Sequence, residues 1–214
     1  MSERILYGYF RSSAAYRVRI ALNLKELAYR QQAVNLRAGE QLEVMFQEMN
    51  PQGLVPVLLD GDLALTQSLA ICEYLDEAYP ETPRLLPGDA VHRARARAIA
   101  QLIACDIHPL NNLRVLSYLD DALGVDKTEQ GAWYRHWVAT GFDALERLLP
   151  EEGGFCLRGD RPTLADICLV PQVFNAKRFN VPMEVYPNIT RINDMLEKLP
   201  AFAKAHPAQQ PDFL

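Results

Sequence analysis

Two hydroxyls and a guanidinium stand together near the amino terminus, in Tyr9-Phe10-Arg11-Ser12-Ser13-Ala14-Ala15-Tyr16-Arg17-Val18-Arg19. The apolar residues 5–10 read as a short strand, and Val18, Ala21, Leu22 and Lys25 keep the spacing of an amphipathic helix. Ser12 or Ser13 at the junction is a natural N-cap. The backbone N–H groups that follow would then point, with the helix dipole, at whatever lies in front of them, which suits an anion. The plain structural alternative is a capped helix and nothing more. A second junction of this kind is Thr66-Gln67-Ser68, leading into the helical pattern of Leu69-Ala70-Ile71-Cys72-Glu73-Tyr74-Leu75. Between the two lies Val55-Pro56, inside an apolar run where proline removes a ladder donor. A cis bond there would leave the Val55 backbone open to an extended ligand; a trans proline on an edge strand is the other solution.

The elements that must carry these groups follow in order. A second strand is expected over residues 29–34 and a short helix over 41–49, stopped by the breaker cluster Asn50-Pro51-Gln52-Gly53. Asp60-Gly61 between two apolar runs signals a hairpin. Pro80, Pro83 and Pro87 mark a linker. Beyond it the pattern is helical: residues 90–119, residues 131–149, a helix opened by the capping box Thr163-Leu164-Ala165-Asp166 and running to about residue 177, and a last helix over 188–199. Pro171 should kink its helix or mark an exposed turn. The tail from Pro200, with Pro207 and Pro211, is expected to be loosely held. The fold class is therefore α/β followed by all-α.

With 214 residues, 49% hydrophobic and 23% charged, the chain can bury a full core and sits among ordinary globular proteins. A net charge of -5 argues against nucleic acid as a partner. No apolar run approaches the roughly 20 residues of a membrane helix, and no apolar segment of signal-peptide type follows Met1-Ser2-Glu3-Arg4, so a cytoplasmic location without membrane contact is expected. Cys72, Cys105, Cys156 and Cys168 form no C-x-x-C pair and read as reduced core thiols, with neither a zinc site nor a dithiol motif.

Taken together, Tyr9-Phe10-Arg11-Ser12-Ser13, Arg17-Val18-Arg19-Ile20-Ala21-Leu22, Asn50-Pro51, Val55-Pro56, Gln67-Ser68-Leu69-Ala70-Ile71, Pro83-Arg84-Leu85-Leu86-Pro87, Thr163-Leu164-Ala165-Asp166, Leu169-Val170-Pro171-Gln172-Val173 and Arg178-Phe179 resemble the glutathione transferases over the whole chain. The class resembled is zeta, that of the maleylacetoacetate and maleylpyruvate isomerases. The resemblance implies a thioredoxin-like, glutathione-binding domain at 1–83, an all-helical substrate-binding domain at 88–214, and a homodimer. It implies glutathione-dependent cis–trans isomerisation of a small dianionic maleyl keto acid, most directly maleylacetoacetate; maleylpyruvate and general conjugation of electrophiles are the alternatives. A third possibility is a non-catalytic binding module of this fold, against which the retained Ser12, Gln67 and Ser68 speak. Ser12 or Ser13 would favour the glutathione thiolate. Gln41 would reach the glycyl end, Val55 the cysteinyl part, Gln67 and Ser68 the γ-glutamyl carboxylate, and His108 and Asn112 would add contacts from the second domain. Arg11, Arg114 and Arg178 would take substrate carboxylates, with Arg11 and Arg178 in the catalytic set beside the serines; Arg17 and Arg19 read mainly as structural. Zeta-class enzymes usually follow the paired serines with cysteine, where this chain has Ala14.

Overall fold

The apolar run after the amino terminus forms β1 (Arg4–Gly8), with alternate residues buried. It is a central strand of a four-stranded sheet of order β2-β1-β3-β4. β2 (Arg30–Ala33) lies parallel to β1; β3 (Val57–Asp60) is antiparallel to β1 and pairs with β4 (Leu63–Thr66) through the Gly61 turn. This is the thioredoxin-like arrangement expected. α1 (Ser13–Leu24) and α3 (Ser68–Ala78) are the long helices of this part, and Val18, Ile20, Leu22, Ile71 and Leu75 are fully buried with Leu6 and Leu58 of the sheet. At Gly8 a Cβ would stand 3.0 Å from the Ala15 Cβ, so glycine lets α1 lie close on β1.

The computed structural model describes residues 3–157 and 159–213, in two units: Met1–Leu86 with Lys198–Leu214, and Pro87–Glu197. The first unit thus includes residues 198–214, which the sequence placed in the helical domain and of which the tail from Pro200 was expected to be loose. Instead α9 (Pro200–Ala205) docks on α1. The buried Arg19 donates from Nε to Ala205 O at 3.0 Å, Asn23 donates to Ala201 O at 2.9 Å, and Asp212 Oδ2 accepts from Phe10 N at 2.8 Å. These partners are nearly two hundred residues apart in sequence, so no local pattern announces them. The short helix of 41–49 is also modified. A 3-10 turn (Glu40–Leu42) is separated from α2 (Val44–Met49) by the extended Glu43. Asp76, on α3, gathers Leu85 N (2.7 Å) and Leu86 N (3.3 Å) of the linker and the buried Lys25 Nζ (3.3 Å).

In the second unit the single helix expected over 90–119 is broken. α4 (Ala90–Gln101) passes into a π-helical stretch (Leu102–Ile107), a 3-10 turn (Pro109–Asn111) and then α5 (Leu113–Asp121). Pro109 has no N–H for the ladder, and the extended Asn112 restarts the helix as its N-cap. α6 (Lys127–Leu148) starts earlier than the expected residue 131, on a capping box of Asp126 and Glu129. A Cβ at Gly141 would collide with the Ile107 side chain, so α6 approaches the π-helical stretch closely there.

α7 (Leu164–Arg178) opens where expected: the buried Asp166 carboxylate accepts from Thr163 N at 2.7 Å, Thr163 Oγ1 at 2.9 Å and Cys156 N at 2.8 Å. Burial raises the Asp166 pKa, and these hydrogen bonds oppose the rise. The helix continues through Pro171, which is buried rather than on an exposed turn. α8 (Pro187–Leu196) follows. Of the cysteines, Cys105 is exposed rather than a core thiol, while Cys72, Cys156 and Cys168 are buried. No helix among the described residues is long and apolar enough to cross a membrane.

Candidate active site

The sheet register gathers the candidate groups of the first unit at one end. Tyr7 pairs with Val57, and Val57 with Thr66, so the loop after β1, the residues before β3 and the start of α3 all leave from the same edge. β2 ends there too, where Val34 N donates to Gly8 O at 2.8 Å. The chain then runs on to Gln41. Ser12 is the N-cap of α1, and its Oγ accepts from Ala15 N at 3.1 Å. Ser13 is the first helical residue and 4% exposed, whereas Ser12 is half-buried and reachable. Because the Ser12 oxygen is already an acceptor, its one hydrogen remains available to a ligand; among the described residues it donates to none. The turn is held by Ser12 N on Tyr9 O (2.9 Å) and by Phe10, whose N–H is taken by Asp212 and whose carbonyl is taken by Arg19 Nη2 at 3.0 Å. Desolvation brings the Arg19 pKa down to about 10. Arg11 lies with its guanidinium carbon 4.8 Å from the Phe10 ring centre.

Between the two junctions the Val55-Pro56 bond is cis, one of the two solutions foreseen. The Val55 backbone takes no hydrogen-bond partner among the described residues. Gln67 has φ +67°, a conformation uncommon for a residue with a side chain, and its Nε2 donates to Gln52 Oε1 at 2.7 Å. Ser68, 6% exposed, opens α3 and accepts from Arg17 Nη1 at 3.2 Å. Gln41 Oε1 is buried with no partner among the described residues. An orphaned amide oxygen, an open backbone and two helix starts with serine hydroxyls fit an extended peptide bearing anionic ends.

In the second unit His108 closes the π-helical stretch, half-buried. Asn112 Oδ1 is used as the cap of α5, accepting from Arg114 N at 3.1 Å, which leaves its amide NH2 for other partners. Arg114 is exposed. Arg178 is exposed at the end of α7, donating from Nη1 to Asn175 Oδ1 at 3.1 Å, with its guanidinium carbon 5.8 Å and 5.6 Å from the Phe174 and Phe179 ring centres. Phe179 stacks on Tyr134 at 3.5 Å; burial pushes the Tyr134 hydroxyl pKa up and Arg178 acts against that rise. No local pattern in the sequence connects Gln52, Arg17 or Asp212 with these groups. Gln52 lay inside a breaker cluster, and the other two act through contacts 51 and 202 residues distant.

Residues 6–83 match the model of the glutathione S-transferase N-terminal domain. Over 99% of its own length and 99% of the other, the chain is 54% identical to a probable maleylacetoacetate isomerase of Vibrio cholerae. The chain belongs to the zeta class of glutathione transferases. Among solved structures in this class, a holo bacterial maleylpyruvate isomerase superposes with a TM-score of 0.95 at 48% identity, covering 98% of this chain and 100% of that one. A maleylacetoacetate isomerase of Methylobacterium extorquens AM1, solved with glutathione and malonate bound, gives 0.93 at 43% identity, covering 97% and 98%. In this chain Ala14 follows the paired serines Ser12 and Ser13.

Proposed function

We propose that the chain is a glutathione-dependent cis–trans isomerase of a maleyl keto acid, acting on maleylacetoacetate in tyrosine and phenylalanine breakdown, with maleylpyruvate of gentisate degradation as the alternative substrate. The observation that carries this reading is the reachable Ser12 hydroxyl at the start of α1, its oxygen fixed by Ala15 N and its hydrogen uncommitted. The names of the relatives support it. Glutathione bound there supplies a thiolate that adds to the maleyl alkene, allows rotation about the resulting single bond, and departs by elimination. Ser12 donates its hydrogen to the sulfur, and the α1 N-terminus adds a favourable field. Together they favour ionisation of a thiol whose free pKa is about 8.5. Ser13, the first helical residue, is 4% exposed and less reachable than the half-buried Ser12, so Ser12 is the thiolate donor in this reading. Val55 pairs through its backbone with the cysteinyl part, Gln67 and Ser68 bind the γ-glutamyl carboxylate, and Gln41 meets the glycyl end. His108 and the Asn112 amide add further polar contacts. Arg11, Arg114 and Arg178 bind the carboxylates of the dianion. In this reading residues 1–83 bind glutathione, the helical part binds the substrate, and the protein works as a cytoplasmic homodimer.

The test is isomerisation of both maleyl keto acids by exhaustively dialysed protein, with and without added glutathione. Turnover that requires glutathione is expected for at least one of them; undiminished turnover without it would end this reading. In the same assay Arg178→Ala should lower kcat/KM for the dianion by about one to two orders of magnitude, the worth of a charge-assisted hydrogen bond of about 1.5–3 kcal/mol. Glutathione affinity should stay unchanged. If Arg178 only complements the α7 dipole, thermal stability falls and turnover at low temperature does not.

A further inference from the structure

Arg17 lies on α1, 2% exposed, and reaches the start of α3. Its Nη1 donates to Ser68 Oγ at 3.2 Å, while Nε and Nη2 are buried without a hydrogen-bond partner. Among the described residues no carboxylate lies within ion-pair distance of it, unlike Lys25 with Asp76 or Arg4 with Asp60. A guanidinium has donors and no acceptor, so in this pair the serine oxygen can only accept. The single Ser68 hydrogen, which would otherwise rotate, must then point away from Arg17. A buried cation with no counter-charge is costly, and its field favours an anion arriving beside it. The free N–H groups of α3 favour the same anion.

We propose that Arg17 is the positioning residue of the carboxylate site at the α3 start: it fixes the Ser68 hydrogen as a donor and supplies the site's buried positive charge, for which a ligand carboxylate is the missing counter-ion. This rests on the reading that the γ-glutamyl carboxylate of glutathione binds here. Arg17 acts through Ser68, whereas Ser68 and the α3 amides touch the ligand.

The test compares calorimetric binding of glutathione with that of an analogue in which 4-aminobutanoyl replaces the γ-glutamyl unit, so that only the α-carboxylate is lost. In Arg17→Met, affinity for glutathione should fall about ten- to hundredfold, the range of a charge-assisted contact, with that for the analogue unchanged within twofold. Ser68→Ala should cost less in the Arg17→Met background than in the unsubstituted protein, because the hydroxyl is no longer held as a donor. The KM for glutathione in isomerisation should rise while kcat at saturating glutathione holds. Equal weakening of both ligands, or losses at Arg17 and Ser68 that simply add, would overturn the proposal. Should Arg17→Met not fold, the 15N-labelled guanidinium resonance of Arg17 in the unsubstituted protein decides: it should shift with glutathione and stay in place with the analogue, and a shift with both or neither would be contrary. If the unsubstituted protein binds glutathione no better than the analogue, the carboxylate reading itself falls. If it discriminates and Arg17→Met discriminates equally, only the role of Arg17 falls.

Discussion

Replacing Ser12 with alanine is expected to lower kcat/KM for isomerisation by about two to three orders of magnitude, the usual cost of removing a donor aimed at a charge that develops in the reaction. The same change removes the α1 cap held on Ala15 N and should cost about 1 kcal/mol of stability. Two further substitutions separate these effects. Ser12→Asp keeps an N-cap acceptor, so it should fold at least as stably as Ser12→Ala, but its carboxylate repels a thiolate and should leave even less activity. Ser13→Ala should leave the pH dependence of thiol ionisation where it is, because in this reading the half-buried Ser12 carries the uncommitted hydrogen that meets the sulfur. Steady-state kinetics with thermal melts of the three variants supply the check. Recovery of activity in Ser12→Asp would mean that the serine is only a cap.

The second large effect concerns stability. Asp76→Ala leaves Lys25, 0% exposed, without the carboxylate 3.3 Å from its Nζ, and frees the N–H groups of Leu85 and Leu86. Removing one partner of a buried pair costs about 3–5 kcal/mol, enough to threaten folding at 37 °C. Urea unfolding of Asp76→Ala beside Asp76→Ala/Lys25→Met is the measurement, and the double variant should recover much of the loss. Burial already lowers the Lys25 pKa, and Asp76 opposes that shift. Without Asp76 the folded-state pKa drops further below the unfolded one, so the unfolded chain holds more protons. The single variant should therefore gain stability as pH rises toward the usual lysine range. A variant as stable as the parent, or one that weakens as pH rises, would contradict this account of the pair.

What could be read from the sequence was local. The Ser12 cap, the Asp60-Gly61 hairpin and the Thr163–Asp166 box each depend on residues within a few positions of one another, and all three formed. The long helix over 90–119 failed because alanine, arginine and leucine propensity outweighed Pro109 in the reading, although the missing N–H and the Asn112 cap redirect the chain. The Asp126–Glu129 box was legible and was overlooked. The tail could not be read at all: Pro207 and Pro211 suggest looseness, while its order comes from Arg19, Asn23 and Phe10, far away in sequence. Ser12 and Ser68 were legible as candidates because hydroxyls suit helix starts, whereas Gln41, His108, Asn112 and the arginines came from the family resemblance. The supports of those residues were not, since Arg17 and Asp212 show their partners only once α1, α3 and the tail are packed.

The most direct test of the central claim is an account of glutathione during turnover. With glutathione at about one hundredth of the maleyl keto acid, the protein should convert essentially all of the cis isomer to the trans isomer, and the glutathione should be recovered as free thiol by mass spectrometry. Product formation that stops at one equivalent of glutathione, with the tripeptide recovered as a thioether of the substrate, would make the protein a conjugating transferase and contradict the account.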